Sequence, residues 1–333
     1  MEFKIIKPDN DILNDFVFKN KYATIFQTGY MEMIYQNVPK CEAISLAAVD
    51  NNDEIIASLV GVKFIEKGGI FKHFSSHSTI RGGPIWVDNE IGIKAANSLI
   101  QRYDEITKNG SIYNRIYPFH ENDYSNVLQH CGYQREEDLN FLIDLNRSKE
   151  DIWNSIRKKR RYGIRKAQQN NIKIKELNYM DDLKLFYKLL EETSHNAKIS
   201  IKDFKLFDNI LNILIPQGLA RIFVATYNDI YIGGILVLTY KNIIYDLYAC
   251  STLKYNHLYP NDYLVWHVMS WGADDGYSTF DFGGAGSPDK KYSVRDFKKQ
   301  FGGKLVNYGK YTKVLKPLIF KLSSKCYQYI KIR

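Results

Sequence analysis

Cysteine is scarce in this chain and never clustered: Cys41, Cys131, Cys250 and Cys326 stand far apart, with no Cys-x-x-Cys spacing. That excludes a thiolate zinc site and a disulfide framework, and the four read as buried thiols in a reducing compartment. No apolar run approaches the roughly 18 residues of a membrane span. The opening stretch "MEFKIIKPDNDIL" carries acidic residues where a secretory signal has its apolar core, so a soluble, cytoplasmic protein is expected. The seven histidines form no His-Glu-x-x-His motif and no Gly-x-Ser-x-Gly elbow occurs, which removes two common hydrolase signatures. His195 and His267 are read as ordinary polar or packing residues, and neither a metal nor a redox cofactor is implied.

What is present is enough hydrophobic material for two cores: 333 residues, 45% of them hydrophobic. From Cys41 to Val87 the pattern is strand-like, with "CEAISLAAVD" and "IIASLVGVKFIE" separated by the turn-prone "NNDE". A helix over "NEIGIKAANSLIQRYDEITKNG" follows, then strand "SIYNRIYPF", helix "ENDYSNVLQHCG" and strand "YQREEDLNFLIDL". A comparable order returns after Asp151: helices, three strands, the helix "NDYLVWHVMSWGADDG", strand "STFDFGG", helix "VRDFKKQFGG" and strand "KLVNYGKY". The identities do not repeat, so this is a topological echo that predicts two copies of one mixed α/β unit. The last segment, "VLKPLIFKLSSKCYQYIKIR", reads as a helix closing a core through Val314, Leu315, Leu318, Ile319 and Leu322, with a basic amphipathic helix lying on a membrane as the alternative.

The net charge of +9 favours an anionic partner. It is concentrated in "KEDIWNSIRKKRRYGIRKAQQNN", read as one helix, where Arg157, Lys158, Lys159, Arg160, Arg161, Arg165 and Lys166 crowd together. Either they form a solvated face with aliphatic stems packed down, or they contact a polyanion, for which the arginine fork suits phosphate oxygens.

The same stretch resembles the helix that opens the second domain of the FemABX-like peptidyltransferases, with its Arg-x-x-x-Arg-Lys-Ala pattern. "YLVWHVMSWGADDGYSTFDFGG" followed by "FKKQFGG" is similar to that family's carboxy-terminal signature, and "FQTGYMEMIY" and "RGGPIWVD" resemble its amino-terminal ones. The resemblance touches both halves in order. It implies an α/β chain of two tandem acyl-CoA N-acyltransferase (GNAT)-like domains, the first over 1–145 completed by 309–333 and the second over 146–308. It implies an enzyme that moves an amino acid from aminoacyl-tRNA to an amine on a cell-wall or surface-polysaccharide precursor. The donor is then a co-substrate and no resident cofactor is needed. The chain is expected as a monomer, cytoplasmic or peripheral at an anionic inner membrane face.

Aminolysis of an ester needs a nucleophilic amine, a destination for its proton, and stabilisation of the oxyanion at the tetrahedral stage; a fixed cation serves the last. Lys298 matches the family's catalytic lysine, with Phe297 and Phe301 four apart to anchor its helix. Lys299 is adjacent and points elsewhere. Asp281 is a candidate to orient the donor or accept the amine's proton, or it satisfies backbone amides at a strand end. Gly283 and Gly284 are candidates for close approach of a phosphate. Tyr248 matches approximately a tyrosine bordering the family's acceptor pocket, and Arg81 lies by a glycine turn where it reaches either a cleft or a salt bridge. Arg157, Lys158, Arg160, Arg161 and Arg165 are the candidate tRNA contacts.

The sequence departs from the family where a lysine is expected after "FQ": Met31, Glu32 and Met33 stand there. The arginine and tyrosine expected early in the second domain have only Lys202 and Phe207 as counterparts, so the contacts that grip a nucleotide-sugar diphosphate are expected to be absent. Two other readings stay open. One is an acyl-CoA-dependent N-acyltransferase acting on an amino sugar or peptide amine, although "RYGIR" is a poor match to a pyrophosphate loop. The other is a non-catalytic RNA-binding protein using the basic helix and some of the 25 tyrosines.

Overall fold

The computed structural model describes residues 2–65, 76–120, 124–177 and 179–322. The chain divides into two compact units, one of residues 1–137 and 308–333 and the other of residues 138–307.

The first unit runs β1 (Lys4–Ile6), α1 (Asn10–Lys19), α2 (Gly29–Tyr35), β2 (Cys41–Val49), β3 (Ile55–Ile65), β4 (Ser76–Arg81), β5 (Ile85–Trp86), α3 (Glu90–Lys108), β6 (Tyr113–Tyr117), α4 (Tyr124–His130) and β7 (Gln134–Glu136). The second runs β8 (Leu139–Asp144), α5 (Lys149–Ser155), α6 (Lys158–Gln169), β9 (Lys173–Glu176), α7 (Met180–Ala197), α8 (Phe204–Asn209), β10 (Ala220–Tyr227), β11 (Ile230–Tyr240), β12 (Ile243–Ser251), α9 (Pro260–Asp274), β13 (Thr279–Gly286), α10 (Ser293–Lys298) and β14 (Lys304–Val306). The chain then returns to the first sheet as β15 (Lys310–Val314).

Among the described residues the sheet orders are β1-β2-β3-β4-β6-β15-β7, with β5 pairing β3, and β9-β10-β11-β12-β13-β8-β14. Each contains a meander of antiparallel strands ending in one parallel pair reached through a helix: β4 with β6 across α3, and β12 with β13 across α9. The echo in the sequence is therefore the same unit built twice. Position by position, β15 fills in the first sheet the place that β8 fills in the second.

That exchange moves the boundary expected at residue 145. Strand β8 pairs with β13 through Asp281↔Leu142 and with β14 through Leu305↔Phe141, so it belongs to the second sheet. The single strand expected over "KLVNYGKY" is likewise two, separated by Gly309 at φ +71°, one in each sheet. At the carboxyl end, Leu318 and Leu322 are exposed, so those two positions of the expected packing stripe are not core; the rest of that segment from 323 lies outside the described residues.

In the second unit, local chemistry explains how both sheet faces are covered. The hairpin between β10 and β11 turns on Asn228 and Asp229, both at positive φ, as a tight two-residue connection requires. Next, consecutive glycines in β11 admit a helix on each face. A Cβ on Gly233 would meet Pro260 and Leu264 of α9, and one on Gly234 would lie 2.6 Å from the Phe186 ring of α7. On the α9 face, Ile235, Val237, Ile244, Phe280 and Phe282 pack with Leu264, Val265, Val268 and Met269 into one buried cluster. Among the described residues no helix is long and apolar enough to cross a membrane, and no three or more His, Cys, Asp or Glu side chains gather as a metal site would need.

Candidate active site

The parallel pairing of β12 with β13 stops early. Ile243, Ile244 and Tyr245 face Thr279, Phe280 and Asp281, and beyond that point neither strand bonds the other. β13 continues along β8 with its register broken between Asp281 and Gly284 and again before Gly286. Asp281 drives the first break: its Oδ1 accepts from the Gly283 amide at 2.7 Å and from Asn140 Nδ2 at 2.7 Å. Gly283 takes φ +64°, a conformation costly for any residue with a Cβ. The turn aims three successive carbonyls at one point.

Lys298 Nζ occupies that point, donating to Phe282 O at 2.5 Å, Gly283 O at 3.1 Å and Gly284 O at 3.0 Å. Its position is set by aromatic anchors on the short α10 and the turn after it. Phe301 is fully buried and lies 5.6 Å from the Phe282 ring, and the Phe297 ring lies tilted against Phe301 at 5.1 Å. The glycines end a strand, the loop reverses the chain, and the helix presents a half-buried lysine. Lys299 is exposed and turned away.

Burial pushes the Lys298 pKa down, and the nearby Asp246 and Asp281 carboxylates oppose that shift. Asp246, one residue past the last parallel pair, has its carboxyl pushed up to about 6, chiefly by burial, with Lys298 pulling it down and Asp281 pushing it further up. Asp246 was not among the sequence candidates. Its one visible signal is that it is the lone charge in the strand "IIYDLYACS". Asn140, which fixes Asp281, was also missed.

The other candidates divide by place. A bulge at Leu247 sets Val237 opposite Asp246 and Leu236 opposite Tyr248, so the two residues point to opposite faces of the sheet. Tyr248 packs its ring 5.1 Å from Phe207 on the α7–α8 face. Lys202 borders the same face: its carbonyl accepts from Tyr187 Oη at 2.9 Å, and Tyr187 lies against Phe207 at 5.4 Å. Asp281 is 2% exposed and its carboxylate is engaged in the fold, so it positions the turn and is poorly placed to receive a substrate proton. The Gly283 amide is taken by Asp281 and the glycine carbonyls by Lys298, which leaves Gly283 no amide for a phosphate. Arg81 lies in the first unit. It is exposed, with its guanidinium 4.7 Å from the Phe26 ring, beside a turn held by Gln27 and Tyr124 through Gly82 O, and among the described residues it forms no salt bridge.

The basic stretch is two helices. Ile156 and Arg157 are extended, which ends α5 and starts α6 with Arg157 as the cap. Arg160 is not a free cation, contrary to its reading as a tRNA contact. It donates to Asp262 Oδ1 at 2.6 Å and Gln300 Oε1 at 3.1 Å, and its guanidinium lies over Phe297. Gly163 permits this approach, since a Cβ there would lie 2.2 Å from Asp262 Oδ2. Arg161 donates to Asn154 and Arg165 stacks 5.3 Å from Trp153, so both are partly committed to the fold. Arg157, Lys158 and Lys159 are exposed at the amino end of α6. His267 is packed edge-on against Phe223 at 4.9 Å.

The acetyltransferase (GNAT) domain family matches residues 154–298, a span that opens at the basic helix and closes on Lys298. The lipid II:glycine glycyltransferase of Staphylococcus epidermidis is 21% identical, over 56% of this chain and 61% of its own length. The chain thus spans about three-fifths of the length of that relative. Among solved structures, that of FemX aligns with a TM-score of 0.71 at 18% identity, over 96% of this chain and 99% of its own. A tandem GNAT protein from the clavulanic acid biosynthesis pathway aligns at 0.59 and 6% identity, over 94% and 99%.

Two such units, each a mixed sheet with its parallel pair and crossover helix, define a tandem GNAT-fold protein. Within that class the chain is similar to the FemABX-like proteins.

Proposed function

We propose that the protein transfers an aminoacyl group, held as an ester on tRNA, to an amine of a lipid II-linked cell-wall precursor at the inner membrane face. The observation that carries this reading is Lys298, an ammonium fixed at the point where β12 and β13 cease to pair and flanked by two carboxylates. Ligands of open α/β sheets lie beyond the carboxyl ends of the strands, which is where this group stands. Glycine and lipid II are the substrates named for the Staphylococcus relatives, and they are the first to try here.

In this reading Lys298 exchanges its bond to the exposed Gly284 carbonyl for the developing oxyanion, while Phe282 O and Gly283 O keep the ammonium aimed. Tyr248 and Lys202 line the acceptor side. Arg157, Lys158 and Lys159 supply the tRNA contact: cations at a helix amino end are poorly placed against the helix dipole, and a phosphate there would offset the cost. One feature weighs against an acyl-CoA donor in this unit. At the start of α9, the helix after the bulged strand, Pro260 lacks an amide hydrogen, so one of the donors a pyrophosphate would need there is missing.

The test is to incubate the protein and lipid II with a mixture of charged tRNAs and, separately, with acyl-CoAs. Consumption of an aminoacyl ester with appearance of an amide on lipid II is expected. Consumption of a thioester alone would overturn the donor, and salt-dependent RNA binding without transfer to any amine would overturn the activity.

A further inference from the structure

The last described residues, 317–322, form a turn of helix after β15 that is fastened to the first unit along one side. Leu315 N and Lys316 N both donate to Ile112 O, at 2.8 and 3.0 Å, and Lys316 Nζ donates to Asn109 O at 3.1 Å. The Phe320 ring stands edge-on to Tyr113 of β6 at 5.6 Å. With about 100° between successive helical residues, positions 318 and 322 lie together and away from 316 and 320. Leu318 is 80% exposed and Leu322 57%, and among the described residues Leu318 is the most exposed of the large hydrophobic side chains. Single leucines at a surface are ordinary. Two on one helix face, in a turn whose other side is fixed, make a rigid apolar edge.

The charge of the segment identifies what covers that edge. From residue 315 to 333 the sequence carries Lys316, Lys321, Lys325, Lys331 and Arg333 and no Asp or Glu. Lys321 is exposed beside the two leucines. An RNA would use the cations and offer the leucines nothing. A second copy of this chain, at +9, would set the same basic segment against itself. A bilayer with anionic headgroups satisfies both features, with phosphates at the cations and the acyl boundary beneath the leucines.

We propose that Leu318 and Leu322, with Lys321 beside them, dock the first unit on an anionic phospholipid surface. The inference goes beyond the transferase reading and stands without it. If that reading also holds, a docked protein meets a lipid-linked acceptor in the plane of the membrane, where its effective concentration exceeds that in bulk.

The experiment is flotation of the full chain with vesicles of phosphatidylglycerol mixed with phosphatidylcholine, and with vesicles of phosphatidylcholine alone, in about 0.1 M salt. The wild type is expected to float with the anionic vesicles and not with the neutral ones. Leu318→Ser with Leu322→Ser, whose net charge is unchanged, should bind the anionic vesicles at least about 10-fold more weakly. Its melting temperature should match that of the wild type, since both leucines face solvent. Leu318→Trp keeps a large apolar side chain suited to the interface and should bind at least as tightly as the wild type. Lys321→Gln should weaken binding and reduce its salt dependence, whereas Lys158→Ala with Lys159→Ala, which removes charge elsewhere, should stay within about threefold of wild type. A double serine variant within about threefold of wild type on anionic vesicles would mean adsorption by charge alone and overturn the docking edge. So would a wild type that floats with neither vesicle, one that floats equally with both, or a Leu318→Trp protein as weak as the serine variant. Sedimentation of the wild type as a dimer that the serine changes dissociate would assign the edge to a second copy and likewise overturn it. No acyl transfer enters the readout, so failure here and failure of the transferase reading are told apart.

Discussion

At the scale of single residues, Lys298 and Asp246 are legible to very different degrees. Lys298 stands in "DFKKQFGG", where two phenylalanines four apart mark the helix face and fix which lysine turns inward. Asp246 has no such marker. Simple alternation puts it on the same face as Tyr248, and only the bulge at Leu247 separates them. Its shifted pKa gives a test independent of activity. A carboxyl whose pKa is raised by folding holds its proton more tightly in the folded chain. That contribution to stability is complete below the unfolded value of 3.8 and is lost as pH rises through about 6. Ionised Asp246 therefore costs the fold up to about 3 kcal/mol at neutral pH. Asp246→Asn is expected to melt at a higher temperature than wild type at about pH 7.5, with the gain gone by about pH 4. A variant less stable than wild type at the higher pH would contradict the burial argument.

At the scale of elements, the basic stretch shows what composition conceals. Seven cations read as one surface, but the break at Ile156 and the glycine at 163 sort them into exposed and committed groups. Arg160 and Asp262 have side chains only 15% and 3% exposed, so removing one partner strands the other. Arg160→Ala is expected to lower stability by about 3–5 kcal/mol in denaturant titration. Lys158→Ala with Lys159→Ala should change stability by no more than about 1 kcal/mol and weaken tRNA binding. The slope of log K against log salt should then shrink by about 0.7–0.9 for each phosphate that the variant no longer neutralises. Equal effects of the two changes on stability would contradict the division. The sequence could not show it, because helix periodicity continues through Ile156 and the partner carboxylate lies about a hundred residues away at Asp262.

At the scale of the whole chain, the two-unit plan was legible because strand and helix signals recur in order, while the exchange of strands was not. "LNFLID" and "KYTKV" are both short strand segments next to a unit boundary, and nothing local says which sheet each joins. Pairing decides it: β15 lies between β6 and β7, and Lys313 meets Asp104 of α3 at 2.7 Å. Ending the chain at residue 307 should therefore open the first sheet and expose the Asp104 network. Limited proteolysis is expected to cut the first unit of that shortened protein and spare the second; equal resistance of both would show that β15 is dispensable. The same plan brings residues from four separate segments, Asn140, Asp246, Asp281 and Lys298, to the end of one parallel strand pair.

Transfer depends most on the ammonium at that point, so the most direct measurement is the single-turnover rate of glycyl transfer from tRNA to lipid II by Lys298→Met beside the wild type, with folding checked by circular dichroism. Loss of an oxyanion donor predicts a rate lower by about 100- to 1,000-fold in a variant that remains folded. A folded Lys298→Met protein that transfers at the wild-type rate would contradict it.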